Sequence, residues 1–201
     1  MRDQLVQIFC KLPEPGKVKT RLAECIGDVG AADVAAGLAK RTISRLSKHF
    51  RTEIWYTLED TIGFLDQFSD VDQRQQVTGD LGERMRFALV DGLNESAKVV
   101  LVGSDSPLID AAYIGEAFER LNDHDVVLGP AEDGGYGLIG VRDAVPSVFQ
   151  DIAWSTASVL SETCRRLNDV GTDYALLPLI WDVDRPGDVE RYYDLLEQES
   201  S

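Results

Sequence analysis

Two short segments constrain this chain most: Val99-Val100-Leu101-Val102-Gly103-Ser104-Asp105-Ser106-Pro107, and Val126 to Gly140, which contains Gly129-Pro130-Ala131-Glu132-Asp133-Gly134-Gly135-Tyr136. Each begins as an apolar, β-branched run of strand length and stops abruptly in Gly, Asp and Pro. Each strand therefore delivers a carboxylate to a loop at its carboxyl end. In an open α/β sheet that edge is where ligands bind. A carboxylate there can hold a hard cation, and a Gly-Gly pair lets backbone amides approach a phosphate or sugar.

The rest of the chain alternates in the same way. Strand-like runs lie near 4–10, 52–58, 98–103, 125–129, 137–141 and 174–178. Between them, Ala31 to Phe50 carries Val34, Ala35, Leu38, Ala39 and Leu46 on one helical face, and Gly82 to Leu93 carries Met85, Leu89 and Leu93. Ala111 to Leu121, Ser158 to Val170 and Gly187 to Gln198 complete the helical patterns. Such alternation implies an α/β class protein: a single three-layer α/β/α domain with a mostly parallel sheet. The run at 137–141 follows its predecessor too closely for a helical crossover, so the sheet should contain an antiparallel member or a small flap. No Pro/Gly/Ser-rich linker divides the 201 residues, and one domain is expected over 1–201.

With 20 basic against 35 acidic residues the chain carries a net charge of −15, which argues against nucleic acid or an anionic membrane as partner. No run approaches the roughly 18 apolar residues of a membrane span, and the first strand-like run begins at Leu5 without a leader pattern. Cys10, Cys25 and Cys164 are odd in number and scattered, as suits buried thiols in a reducing cytoplasm. One island runs against the charge: Lys11, Lys17, Lys19 and Arg21 face only Glu14 between positions 11 and 21. It directly follows the first strand, with the polarity required to receive a phosphorylated ligand.

The prolines and glycine of Pro13-Glu14-Pro15-Gly16 keep that segment out of early helix, and the spacing around Gly16-Lys17 is not that of a P-loop. It reads as a phosphate-neutralising loop, with Arg21 offering the better fork, or as a solvated turn. Asp105 reads as a magnesium or manganese ligand or as a turn residue, Asp110 being the better cap for the following helix. Asp182 and Asp184, two apart in an extended segment, point the same way and can close on one cation. Asp188 is explained by the first turn of a helix. Asp80 and Glu83 have capping-box spacing, while Gly82 and Arg84 beside them could face a nucleotide. Asp133, Gly134, Gly135 and Tyr136 can shape the donor-sugar or acceptor side of a pocket, or form a tight hairpin turn. Ser155 or Thr156 can cap the helix near Ser158, with Trp154 covering a pocket or filling core. His49 and His124 have no partner at ligand or triad spacing and read as surface residues.

Lys11 to Leu22, Gly79 to Met85, Gly103 to Pro107, Gly129 to Gly140, Trp154-Ser155-Thr156 and Asp182-Val183-Asp184 occur in the order of a known bacterial family. The chain resembles, from about Leu5 to Tyr192, glycosyltransferase-like proteins of the GT-A fold. This is the Rossmann-like nucleotide-diphospho-sugar transferase fold, in the type associated with radical-SAM or selenium-domain proteins. More distantly it is similar to phospholactate guanylyltransferases and molybdenum-cofactor nucleotidyltransferases. It lacks the Gly-Gly-x-Gly-x-Arg loop of the latter, and the basic 11–21 loop stands in that place. Gly137 stands where the family pattern often carries a second tyrosine.

The resemblance implies a nucleotide or nucleotide-sugar held by the 11–21 loop, through Lys11, Lys17, Lys19 and Arg21, to which the helix-start position adds Gly82 and Arg84. It also implies Mg²⁺ or Mn²⁺ on Asp105 with Asp182 and Asp184, and a small-molecule acceptor near Gly134, Gly135, Tyr136, Trp154, Ser155 and Thr156. Asp105 and Asp133 are the expected catalytic residues. Glycosyl transfer, with a nucleoside diphosphate leaving, and nucleotidyl transfer, with pyrophosphate leaving, both suit this scaffold. A catalytically silent nucleotide-binding protein is the remaining class. With no Ser-His or Cys-His constellation in view, positioning and charge neutralisation would carry catalysis.

Overall fold

Where β-branched and apolar residues run together the chain forms strands, and where apolar residues recur every three or four positions it forms helices over them. The computed structural model describes residues 3–57, 63–144 and 147–199. In chain order they form β1 (Gln4–Cys10), α1 (Thr20–Leu46), β2 (Thr52–Tyr56), β3 (Asp72–Gln75), α2 (Leu81–Leu93), β4 (Lys98–Gly103), α3 (Ala111–Arg120), β5 (Val126–Pro130), β6 (Tyr136–Arg142), α4 (Val159–Asp169), β7 (Tyr174–Leu176) and α5 (Pro186–Glu199). Position 58 of the expected second strand lies outside the described residues.

The seven strands lie in the order β3-β2-β1-β4-β6-β5-β7. All neighbours are parallel except β6, which runs antiparallel to both β4 and β5. This is the antiparallel member that the short 130–136 connection demands, since a parallel neighbour needs a crossover of a dozen or more residues. The strand order reverses direction between β1 and β4. That switch point opens a crevice at the carboxyl ends of these two strands, between the 11–21 loop and the Asp105 loop.

The core has two principal layers, one on each face of the sheet. Ile43 and Leu46 of α1 and Ile114 and Phe118 of α3 pack with Ile8, Val100 and Val102 on one face. Met85 and Leu89 of α2 and Leu167 of α4 pack with Leu5, Val99 and Leu101 on the other. A third cluster joins Leu22 and Leu38 of α1 to Trp181, Val183 and Tyr192, and so anchors the segment that carries Asp182 and Asp184.

Three expectations need correction. Helix α1 starts at Thr20 rather than near Ala31, broken only at Gly27, whose φ of 78° no helix interior uses. Strand β3 was absent from the apolar runs because Asp72-Gln73-Arg74-Gln75 is polar on both faces, as an edge strand can be. Cys25 is exposed, so only Cys10 is a fully buried thiol.

Candidate active site

The Asp105 loop and the Asp182 loop come from distant parts of the chain but are latched to each other. Ser106, fully buried, donates from Oγ to the Trp181 carbonyl at 2.7 Å, and the Val183 amide donates to the Asp105 carbonyl at 3.1 Å. Asp182 and Asp184 sit on either side of buried Val183, and both line the same cavity of about 600 Å³ as Asp105 and Asp133. Lys19, Arg21, Ser155 and Arg185 line it too. The two carboxylates, two positions apart, thus reach one space.

Lys19 is turned inward. Its backbone takes the left-handed conformation at φ 47° just before α1, and its side chain, only 5% exposed, brings Nζ to 2.5 Å from Asp105 Oδ1. Arg21 reaches the other side of the cavity and donates to Asp184 at 2.7 Å. These cations leave the carboxylates only partly neutralised. Asp182, partly buried, is pushed up to about 7 by loss of solvent and by the charges of Asp105, Asp133 and Asp184, against the pull of Lys19. Among the described residues, no three His, Cys, Asp or Glu side chains already stand as a closed metal-binding group.

Lys11, Lys17 and Arg84 line a separate cavity of about 230 Å³ with Thr57 and Gln76. Lys17 pairs with Glu14 at 3.0 Å, and Arg84 is aimed by its bond from Nε to the Gly79 carbonyl at 2.9 Å. The capping box of Asp80 and Glu83 forms as the spacing requires, fixing the start of α2. The basic residues thus divide into two groups: Lys19 and Arg21 among the carboxylates, Lys11, Lys17 and Arg84 apart from them.

The connection between β5 and β6 forms the tight turn that was one of the two readings given to it. Gly134 has φ +87°, and a Cβ there would meet the Ala157 carbonyl oxygen at 2.2 Å. Its missing side chain makes room for the approach to α4 rather than for a ligand, a correction to the expected role. Gly135 donates its amide to Asp133 Oδ1 at 2.9 Å, which leaves the Asp133 carboxylate in the cavity wall. Tyr136 packs edge-on to Trp154, and burial pushes its hydroxyl up, so it stays protonated. Gly82 lies beneath Trp154, where a Cβ would come within 2.7 Å of the indole. No side chain fits at Gly82, whose backbone lines a third cavity, of about 740 Å³, with Asp80, Glu83 and Arg86, apart from Lys11, Lys17 and Arg84.

Ser155 and Thr156 do not cap α4, which begins after Ser158 without a side-chain cap. Thr156 instead donates to the Ala153 carbonyl at 2.8 Å, and Ser155 is held at φ 64° facing the cavity. Asp110 caps α3 through the Tyr113 amide. Asp188 accepts from the amides of Asp184 and Arg185, so it shapes the acidic loop. His124 has a partner after all, Asp173 at 2.7 Å, on the surface and away from the cavity. Sequence reasoning missed the buried Ser106 latch and Arg185; for Ser106 the only signal was a polar residue between two small turn formers.

Sheet order, the antiparallel β6 and the carboxylates beyond β4 define a protein of the nucleotide-diphospho-sugar transferase fold. The chain belongs to the bacterial family DUF2064, described as an uncharacterized protein conserved in bacteria, which residues 43–156 match. It is similar to a crystal structure of a candidate nucleotide-diphospho-sugar transferase from Desulfovibrio desulfuricans G20, at 34% identity and a TM-score of 0.85 over 92% of this chain and 84% of that one. It shares the fold of CMP:2-keto-3-deoxy-manno-octonic acid synthetase complexed with CTP, at 13% identity and a TM-score of 0.61 over 98% and 99% of the two chains. It shares it also with the inositol-1-phosphate CTP transferase from T. maritima, at 14% identity and 0.60 over 98% and 96%. No curated protein matches it significantly.

Proposed function

We propose that the protein is a metal-dependent transferase that binds a nucleotide-sugar at the carboxyl edge of the sheet and passes the sugar to a small-molecule acceptor. The observation that carries this reading is the convergence of Asp105, Asp133, Asp182 and Asp184 with Lys19 and Arg21 in one cavity beside the switch point. Asp105, Asp182 and Asp184 supply the hard oxygen donors that Mg²⁺ or Mn²⁺ takes and would have to draw together around such an ion, and the raised Asp182 supports a place where negative charge is under-compensated. Such an ion, when bound, offsets charge on the departing phosphates.

The chain's own groups do the rest. Phosphates offer Lys19 and Arg21 new anionic partners and so free Asp105 and Asp184, while Lys11, Lys17 and Arg84 receive the remainder of the donor. The acceptor oxygen bonds to the sugar carbon as the bond from that carbon to the diphosphate oxygen breaks. The nucleoside diphosphate leaves with the electron pair, and the acceptor proton passes to Asp133. Preorganised charge and position, rather than a covalent intermediate, lower the barrier.

A second reading, nucleotidyl transfer to a small phosphorylated acceptor, is favoured by the number of cations. Lys11, Lys17, Lys19, Arg21 and Arg84 are more than a diphosphate requires. Incubation with Mg²⁺ or Mn²⁺ and a panel of nucleoside triphosphates and nucleotide-sugars tests both. Thermal stabilisation should need nucleotide and metal together. Release of nucleoside diphosphate supports glycosyl transfer, and release of pyrophosphate supports the alternative. Stabilisation by no member of the panel would contradict both.

A further inference from the structure

Beside the polar cavity lies an apolar one of about 140 Å³ to which the transferase reading gives no occupant. Phe9 of β1, Met85 of α2, Leu101 of β4, and Tyr136 and Leu138 of β6 contribute to its walls. Asp105 and Asp182 line both cavities, so the apolar space adjoins the polar one at these carboxylates.

Size and lining select the occupant. An apolar cavity of about 150 Å³ accommodates a benzene ring, so this one suits a group from isobutyl to phenyl. A nucleobase is a poor match, because its polar edge would be buried with few partners, at a cost of about 1–3 kcal/mol for each unpaired group. Among the described residues, the polar side chains in the lining are Asp105, Asp182, Ser106 and Tyr136, and the Ser106 hydroxyl already donates to Trp181. The basic cavity, with Gln76, Thr57 and Arg84, offers a base or phosphate far more.

We propose that this cavity binds the apolar end of the acceptor, a branched alkyl or aromatic group, with the reacting hydroxyl directed past Asp105 and Asp182 into the polar cavity that Asp133 lines. The word acceptor rests on the transferase reading. The binding of an apolar group does not.

The test is a titration of the whole protein carrying labelled Met and Leu methyl groups, with benzyl alcohol as probe and glycerol as its polar control. Benzyl alcohol should produce saturable shifts centred on Met85, Leu101 and Leu138, glycerol should not, and Met85→Trp should weaken the effect at least tenfold. No saturable shift in the folded parent overturns the proposal, without need of any variant to fold. So does displacement of benzyl alcohol by CTP or UDP-glucose with Mg²⁺, which would assign the cavity to the nucleotide. Nucleotide binding is followed separately at the backbone amides of residues 11–21. Silence there with benzyl alcohol still bound would remove the transferase reading and leave the apolar site standing.

Discussion

Two clusters in this molecule each set carboxylates against two cations and behave oppositely. Near the amino end of β2, Glu53 is buried to 1% exposure, yet Trp55 Nε1 donates to it at 2.9 Å and Gln7 at 3.3 Å. Arg74 stands 3.2 Å away and Arg51 at 3.8 Å. The same two arginines hold Glu95, whose carboxyl they pull below its usual value, and Arg74 also holds Asp91. At the carboxyl end of β4, Lys19 and Arg21 face Asp105, Asp133, Asp182 and Asp184, and Asp182 rises to about 7. The β2 cluster pairs its buried charge with Arg74 and Arg51, although Glu53 Oε1 and Gln7 Oε1 lack a hydrogen-bond partner. A binding cluster keeps negative charge in excess, which another cation can relieve.

Removing one charge from each cluster sharpens the contrast. Glu53→Ala strands the Trp55 and Gln7 donors and unbalances Arg74, and should lower unfolding free energy by about 3 kcal/mol in urea titrations. A loss near zero would mean that the cluster is merely decorative. Arg21→Ala removes a pair that is mostly exposed, so stability should hardly move, while nucleotide affinity falls by about 1–3 kcal/mol. Arg21→Lys should also bind more weakly, since an ammonium cannot replace the guanidinium fork. Equal affinity in Arg21→Ala and the parent would return the 11–21 loop to a solvated turn.

The smallest effect is a pH dependence. Asp182 titrates near 7 in the folded chain against an ordinary 3.8, so the folded state holds an extra proton between those values. Stability from this group is therefore full below pH 3.8, declines as pH rises toward 7, and stays low above it. Asp182→Asn should gain on the metal-free parent by about 1 kcal/mol from pH 4 to pH 8, the shift being damped where solvent reaches the carboxylate. A difference that does not change with pH would show that the charge on Asp182 is compensated in the folded chain.

Much of this was legible in the sequence, and the omissions have physical causes. The abrupt ends of Val99–Gly103 and Val126–Pro130 gave the sheet edge, and the short connection to Tyr136 gave the antiparallel strand, because these depend on local chemistry and chain length. β3 was hidden because an edge strand needs no apolar face. The early start of α1 was hidden because Lys19 sits before the helix without a side-chain cap. The union of the Asp105 loop with the Asp182 loop was only an expectation, since Ser106 and Trp181 are 75 residues apart and no local pattern reports their bond. The same holds for Gly134, whose turn was visible but whose contact with Ala157 was not.

The central claim is that Asp105 anchors a cation needed for nucleotide binding, and one thermal-shift comparison tests it most directly. Parent and Asp105→Asn are melted with nucleotide alone, with Mg²⁺ or Mn²⁺ alone, and with both, using the triphosphate or nucleotide-sugar that stabilises the parent best. The account predicts that only the combination stabilises the parent strongly, and that Asp105→Asn, which still folds but leaves Lys19 without its anionic partner, loses the metal-dependent gain relative to its own ligand-free melt. An Asp105→Asn protein that keeps the full gain would take Asp105 out of the site and contradict the account.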